Sequence, residues 1–476
     1  MPTRPPLDAR TARWLPWVVA IAFFMQSLDG TILNTALPAM ARDLAENPLR
    51  MQSVIIAYML TVALLIPASG WIADRFGTKK VFFSAILLFS FGSLLCALSG
   101  SLGMLVASRV IQGLGGALML PVGRLVVLRA YPRSELVRIM SFITVPGLLG
   151  PLIGPTMGGW MVEYVTWHWI FLINLPVGLL GCWAVWHFIP DLRGSSRTRF
   201  DGIGFLLFGA AMVLITIAME GLGELHLPHL RVMLLLFAGM ACLAAYWLRA
   251  GHVENPLFSP SLFRTRSFAV GILGNLFARL GSGALPFLVP LLLQVALGHS
   301  PSEAGMSMIP LAAAAMVAKS LARPLIERFG YRVILTANTL LLGLLLASLG
   351  LVTPDTPYPL LLVQLALLGA VNSMQFTAMN TVTLIDLDDA SASSGNSLLS
   401  VVAQLSLSLG VACAGALLGG FSAAMGQGEG VSTLLGAFQL TFLTIGIMAM
   451  LAAAIFVQLS SKDGKRAPRP EPDIQA

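Results

Sequence analysis

Long apolar runs separated by short polar connections recur along the whole chain, at about 14–37, 51–72, 81–99, 102–123, 138–161, 168–189, 203–219, 230–248, 268–294, 303–322, 333–352, 358–379, 393–420 and 432–458. Most approach the ~20 residues a helix needs to cross hydrocarbon, well beyond the ~10 of a barrel strand. In lipid every backbone N–H and C=O must find its partner within the segment, so runs of this length predict helices. The pattern predicts an all-α membrane protein with about fourteen transmembrane helices and both termini on one side.

Composition agrees: 57% of residues are hydrophobic, 11% are charged and mean hydropathy is +0.83, against about 25% charged in a soluble domain. The net charge of +7 could suggest nucleic acid, but the cations flank apolar runs and form no stripe. With the N-terminus cytoplasmic, 23 Lys and Arg fall on the inner side and only Arg42, Arg50 and Arg231 on the outer. This is the positive-inside bias, and it predicts a membrane protein with cytoplasmic termini and no nucleic-acid partner. Arg109, Arg279 and Lys319 remain inside spans. The four cysteines lie far apart in apolar stretches, without metal or redox spacing. The first apolar run exceeds a signal h-region and lacks a small-residue cleavage pattern, so it is expected to be the first span.

The chain also repeats. Pro48 and Pro301, Arg75 and Arg328, Phe76 and Phe329, Gly77 and Gly330, and Lys79 and Arg332 all align without a gap at an offset of 253. Duplicated bundles of this kind build many transporters. The expected organisation is a cytoplasmic tail (1–13), a six-helix bundle (14–190), a linker with two inserted helices (191–265), a second six-helix bundle (266–460) and a disordered tail (461–476). The most polar part of the linker is Arg193-Gly194-Ser195-Ser196-Arg197.

Four sets of residues carry candidate chemistry. The loop Gly70-Trp71-Ile72-Ala73-Asp74-Arg75-Phe76-Gly77 joins the second and third spans. Gly70 would let a helix approach, Gly77 permits a tight turn, and Asp74 could accept from a neighbouring helix N-terminus while Arg75 faces headgroups. Such a charge latch could favour one conformation; a plain positive turn would explain the lysines but not the spacing. Its echo carries Glu327 and Arg328, with Arg323 in place of Gly70, so the first loop is expected to be the stronger lock. Asp29 lies roughly 13 Å from the outer end of its span and Arg109 roughly 10 Å from the same side at 1.5 Å per residue. Intramembrane charges are functional candidates, so Asp29 could act as a proton switch or as half of a static ion pair. In the fifth span Gly147, Gly150, Gly154, Gly158 and Gly159 suit close helix packing, and Pro151 and Pro155 allow a kink. This face would seal against a helix of the other half, with ordinary small-residue packing as the competing account. Gln26, Gln112, Asn275, Arg279, Lys319, Asn372 and Gln375 could line a cavity; interhelical hydrogen bonding and, for Lys319, snorkelling are the alternatives.

These segments resemble the major facilitator superfamily, whose conserved loop has the form G-x-L-a-D-r-x-G-r-k-x. Arg109-Val110-Ile111-Gln112-Gly113 is similar to its fourth-span motif, and the run Gly147 to Gly159 to the fifth-span motif of its antiporters. Leu28-Asp29-Gly30-Thr31 and Trp167-His168-Trp169 through Pro176 resemble signatures of the fourteen-span drug:proton antiporters. The resemblance implies the major facilitator fold, two six-helix bundles plus two inserted helices, and a monomeric antiporter of the bacterial inner membrane that exports drugs or other amphiphilic compounds by alternating access. It would be driven by the proton gradient, with no cofactor and no metal. The cationic residues inside spans leave exporters of anionic metabolites or metal chelates as an alternative, and a non-transporting sensor as another. The absence of a phosphate loop, of H-E-x-x-H and of any histidine deep in a span argues against a pump or an enzyme.

Overall fold

The structure is a computed structural model that describes residues 9–192, 200–222, 228–388, 391–425 and 431–460. The linker run Arg193 to Arg197 and the tail from 461 onward lie outside the described residues. The spans are α1 (Arg10–Thr35), α2 (Pro48–Phe76), α3 (Thr78–Ala97), α4 (Leu102–Ala130), α5 (Arg138–Tyr164), α6 (His168–Phe188), α7 (Gly202–Gly221) and α8 (His229–Ala250). They continue with α9 (Arg266–Ala296), then Pro301–Leu351, α12 (Tyr358–Ile385), α13 (Ala392–Ala424) and α14 (Thr433–Val457). The 51-residue segment Pro301–Leu351 breaks at Gly330, where φ is 78° and ψ 160°. It is therefore two spans, α10 (301–329) and α11 (331–351), and the described residues form fourteen spans.

Gly77 ends α2 with φ 92° and ψ 143°, nearly the backbone of Gly330, its partner at the 253-residue offset. A side chain strains at such φ, which is why both turns are glycine. An even number of spans returns the chain to the face from which α1 starts, here called the terminal face; the opposite side is the far face.

In the first half α1 packs on α5, and α4 on α2 and α3; in the second, α9 packs on α13, and α12 on the α10–α11 pair. Two seams join the halves, α2 with α13 and α5 with the start of α10. The inserted helices α7 and α8 pack on each other, and α7 lies against both α13 and α2, so the pair sits beside one seam. One apolar cluster at the far face draws on both halves, including Ile32, Leu37, Phe171, Phe287, Leu292 and Leu365. Toward the terminal face one cluster belongs to the first half alone (Val19, Phe82, Val126) and another to the second (Ala322, Met379, Phe456). Along α5 and α10 the stretches nearer the terminal face are open, with Val145 56% and Val317 66% exposed. This seam is closed at the far face only.

Candidate functional site

Ser101 caps α4 by accepting from the Met104 N–H at 3.3 Å, which fixes the start of the helix and sets Arg109 two turns inside it. Glycines behind Arg109 admit the neighbouring helices: a Cβ on Gly116 would stand 2.6 Å from the Tyr58 hydroxyl. The close approach lays the Tyr58 ring of α2 on the Arg109 guanidinium, 4.3 Å from the ring centroid.

Arg109 and Asp29 are 2% and 1% exposed and form an ion pair of 2.7 Å. Asp29 also accepts from the Gln112 amide at 2.8 Å and the Asn174 amide at 3.2 Å. Arg109 donates in addition to the Gln112 Oε1 at 2.6 Å and the Val54 carbonyl at 3.3 Å. Ser93 of α3 accepts from Gln112 and Asn174 and donates to the Phe171 carbonyl. The α1 carboxylate is thus bonded by α4 and α6, whose side chains are braced in turn by α2 and α3. Such a network is stable only while each member is satisfied, because a buried charge that loses its partner costs several kcal/mol.

The loop after α2 makes a different contact from the one expected. Asp74 pairs with the Arg129 side chain at the end of α4, not with a helix N-terminus. A charged side chain reaches the carboxylate first because α2 and α4 run side by side to the same face. Thr78 N–H donates to the Leu192 carbonyl at 3.1 Å, and Gly77 leaves no room for a side chain beside Asp191, so the turn docks under the end of α6. Gly70 is exposed, and a Cβ there would meet nothing within 4 Å; no helix uses the approach it offers in this conformation. Arg75 points outward as expected. In the echo, Glu327 pairs with Arg323 one turn away at 2.7 Å, both exposed, and Arg328 lies over the Phe329 ring. That pair ties no second helix.

The glycines of α5 pack mainly on α1 of their own half rather than on the other half. A Cβ on Gly150 would stand 2.7–2.8 Å from atoms of Ser27 and Leu28, and one on Gly154 or Gly158 would collide with Thr31 or the Ile32 carbonyl. Gly147 stands looser, 3.9 Å from Phe23. Pro151 has no N–H for the Gly147 carbonyl one turn earlier, and the Ser27 hydroxyl donates to that carbonyl at 2.6 Å instead. Thr31 and Thr35 donate to the carbonyls of Gly150 and Pro155 at 3.2 and 3.0 Å. Only the far end meets the second half: Gly159 abuts the Pro301 carbonyl, Gly305 abuts Pro155, and Thr156 donates to the Gly305 carbonyl at 3.3 Å. Glu163 accepts there from both the N–H and the hydroxyl of Ser302.

The sequence profile of the Major Facilitator Superfamily matches residues 19–411, with a second match over 271–476. The chain belongs to this superfamily. It is 47% identical over 465 residues to "Putative multidrug resistance protein MdtD" of Pectobacterium carotovorum subsp. carotovorum (strain PC1), covering 98% of this chain and 99% of that protein. It is 52% identical over 412 residues to the protein of the same name from Serratia proteamaculans (strain 568), covering 87% and 86%. Among solved structures, a D-xylose-proton symporter superposes with a TM-score of 0.68 at 15% identity, covering 96% of this chain and 100% of that one. A bacterial homolog of the human lysosomal transporter Spinster, inward-facing and unoccupied, gives 0.67 at 15%, covering 94% and 97%. At such identity these two speak for the fold alone. Membership makes the chain a multi-pass transporter of small molecules rather than an enzyme.

Within this facilitator fold the expected cavity residues separate. Gln112 is fully buried as a brace of the ion pair. Gln375 bonds Asn338 and Thr339 between α11 and α12, at 2.9 and 2.7 Å. Asn275 is buried and donates to the Gly271 carbonyl and toward Thr383. Gln112 and Gln375 are interhelical fasteners, whereas Asn275 bonds chiefly to its own helix, since a buried amide in hydrocarbon takes the nearest protein partner. Arg279, 3% exposed, lies over the Phe376 ring at 3.8 Å and donates to Asn380 at 3.3 Å. Gln26, one turn before Asp29, and Asn372 are half-buried, and Lys319 is exposed on α10. Sequence reasoning missed Asn174, Ser93 and Tyr58 as members of the Asp29 site, and Arg129 as the partner of Asp74. It also missed the hydroxyl ladder of Ser27, Thr31 and Thr35, whose four-residue spacing matches Gly150, Gly154 and Gly158 on the facing helix.

Proposed function

We propose that this transporter is a proton-coupled antiporter that exports drugs or other amphiphilic compounds by alternating access. It works as a monomer in the bacterial inner membrane with the terminal face cytoplasmic. The observation that carries this reading is Asp29: a single carboxylate, 1% exposed, ion-paired to Arg109 and bonded by Gln112 and Asn174. It sits on α1, the helix whose other face bears the ladder to α5. The relatives named as multidrug resistance proteins supply the cargo class.

In the present conformation, closed at the far face, Asp29 is ion-paired with Arg109. Opening at the far face requires the contacts of Gly159, Thr156 and Glu163 with the second half to part. The cycle needs this motion to pass from α5 through its ties to α1, so that Asp29 would shift relative to Arg109 on α4. A carboxylate that loses its cation in a dry site takes a proton rather than remain charged. Protonation from outside would thus accompany the outward-open form, and release to the cytoplasm would follow re-pairing with Arg109. Asp74–Arg129 holds α2 to α4 at the cytoplasmic face, whereas the Glu327–Arg323 pair ties no second helix.

The test is substrate flux by the purified protein in proteoliposomes with an imposed pH gradient, using a panel of lipophilic cationic and neutral dyes. Flux driven against the dye gradient by protons, with proton counterflow, is expected. Saturable flux indifferent to the pH gradient would overturn the coupling.

A further inference from the structure

A groove runs along the lipid-facing side of the first half, between α1, α3 and α6, with a volume of about 490 Å³. Its walls include Trp14, Trp17, Ile21 and Met25 from α1, and Trp183 and Phe188 from α6. Trp14 and Phe188 stack at 5.8 Å across the two helices at the end nearest the terminal face. The groove is lined almost wholly by apolar side chains and faces the bilayer, so an acyl chain suits it and a polar solute does not.

Its open end is cationic. At 3.6 residues per turn, Arg10 continues the stripe of Trp14, Trp17, Ile21 and Met25, and Arg10 is exposed. The Arg13 guanidinium stands 5.9 Å from the Trp14 ring, and the Lys79 ammonium 5.3 Å from the ring of Trp186, which lies outside the groove wall. Lys79 lies two turns before Ile86, the α3 residue in the groove wall. Asp191, the carboxylate that follows α6, is turned against Gly77. An apolar slot that ends in cations at headgroup depth is complementary to an anionic lipid.

We propose that this groove holds an acyl chain of an anionic phospholipid from the leaflet at the terminal face, with its phosphate between Arg10 and Arg13. The α1 wall of the groove ends at Met25, one turn from Asp29, so a bound chain supports the helix that carries the carboxylate. That link to transport rests on the proton-coupling reading above; the binding itself does not.

The test is native mass spectrometry of the full-length protein in detergent, titrated with phosphatidylglycerol, phosphatidylethanolamine and phosphatidylcholine of identical acyl chains. Phosphatidylglycerol is expected to be retained at one tight site. The double variant Arg10→Gln/Arg13→Gln should weaken that site roughly thirtyfold, from about fivefold for each surface cation removed. Ala184→Phe, which fills the groove, should abolish the site. Should that variant fail to fold, Ile21→Trp, at an exposed groove position, replaces it. Equal retention of the three lipids by the wild type, or undiminished phosphatidylglycerol binding by the charge and groove variants, would overturn the proposal. Transport plays no part in this readout, so lost lipid binding and lost proton coupling are distinguishable.

Discussion

Replacing Asp29 by Asn separates a proton switch from a static ion pair, because the two accounts diverge in a second variant. The substitution leaves shape and hydrogen bonding nearly intact but strands Arg109, 2% exposed, without its anion. Breaking one side of a buried pair costs about 3–5 kcal/mol. The lower end is expected, since Arg109 keeps the Gln112 Oε1, the Val54 carbonyl and the Tyr58 ring. Combining Asp29→Asn with Arg109→Gln removes the stranded charge and should restore most of the loss, read as the unfolding midpoint of purified protein. Transport should not follow stability. Both variants should lose proton-driven uphill flux in proteoliposomes, because neither has a carboxyl to carry the proton. If Asp29→Asn retained wild-type uphill flux, the coupling role would be refuted; if the double variant regained flux together with stability, the pair would be structural.

The remaining predictions follow from contacts elsewhere in the fold. Asp74→Asn, which takes the charge out of the tie between α2 and α4, should slow initial transport, whereas Glu327→Gln loses an exposed pair within one helix and should leave the rate unchanged. Gly158→Val would drive a side chain into the Ile32 carbonyl and should lower stability by about 1–3 kcal/mol, while Gly70→Ala, with nothing within 4 Å, should stay within about 0.5 kcal/mol. Ser27→Ala strands the Gly147 carbonyl freed by Pro151 and should cost about 1–3 kcal/mol, visible as a lower unfolding midpoint. Glu163→Gln weakens the tie to Ser302 across the far-face seam and should raise labelling of a cysteine placed at position 156, at the same seam, from that side; unchanged labelling would exclude it as a gate contact.

The sequence by itself determined the fold class, the number of spans and the turns at Gly77 and Gly330. Each follows from a local constraint: hydrocarbon thickness sets run length, backbone self-satisfaction requires helix, and a positive φ requires glycine. It also placed Asp29 and Arg109 at similar depth, because rise per residue along a helix is fixed. What it could not give is azimuth, the direction in which each helix turns its side chains and the neighbour it meets. Gln112 and Gln375 therefore looked alike as polar residues in spans, yet one braces the ion pair and the other fastens α11 to α12. Asp74 found Arg129, fifty-five residues away, and the α5 glycines found α1, because those helices lie adjacent only once the bundle has packed. Only the tertiary structure decided that the α5–α10 seam closes at the far face, since that depends on how the two halves tilt against each other. Depth was written in the chain, and partnership was decided by packing.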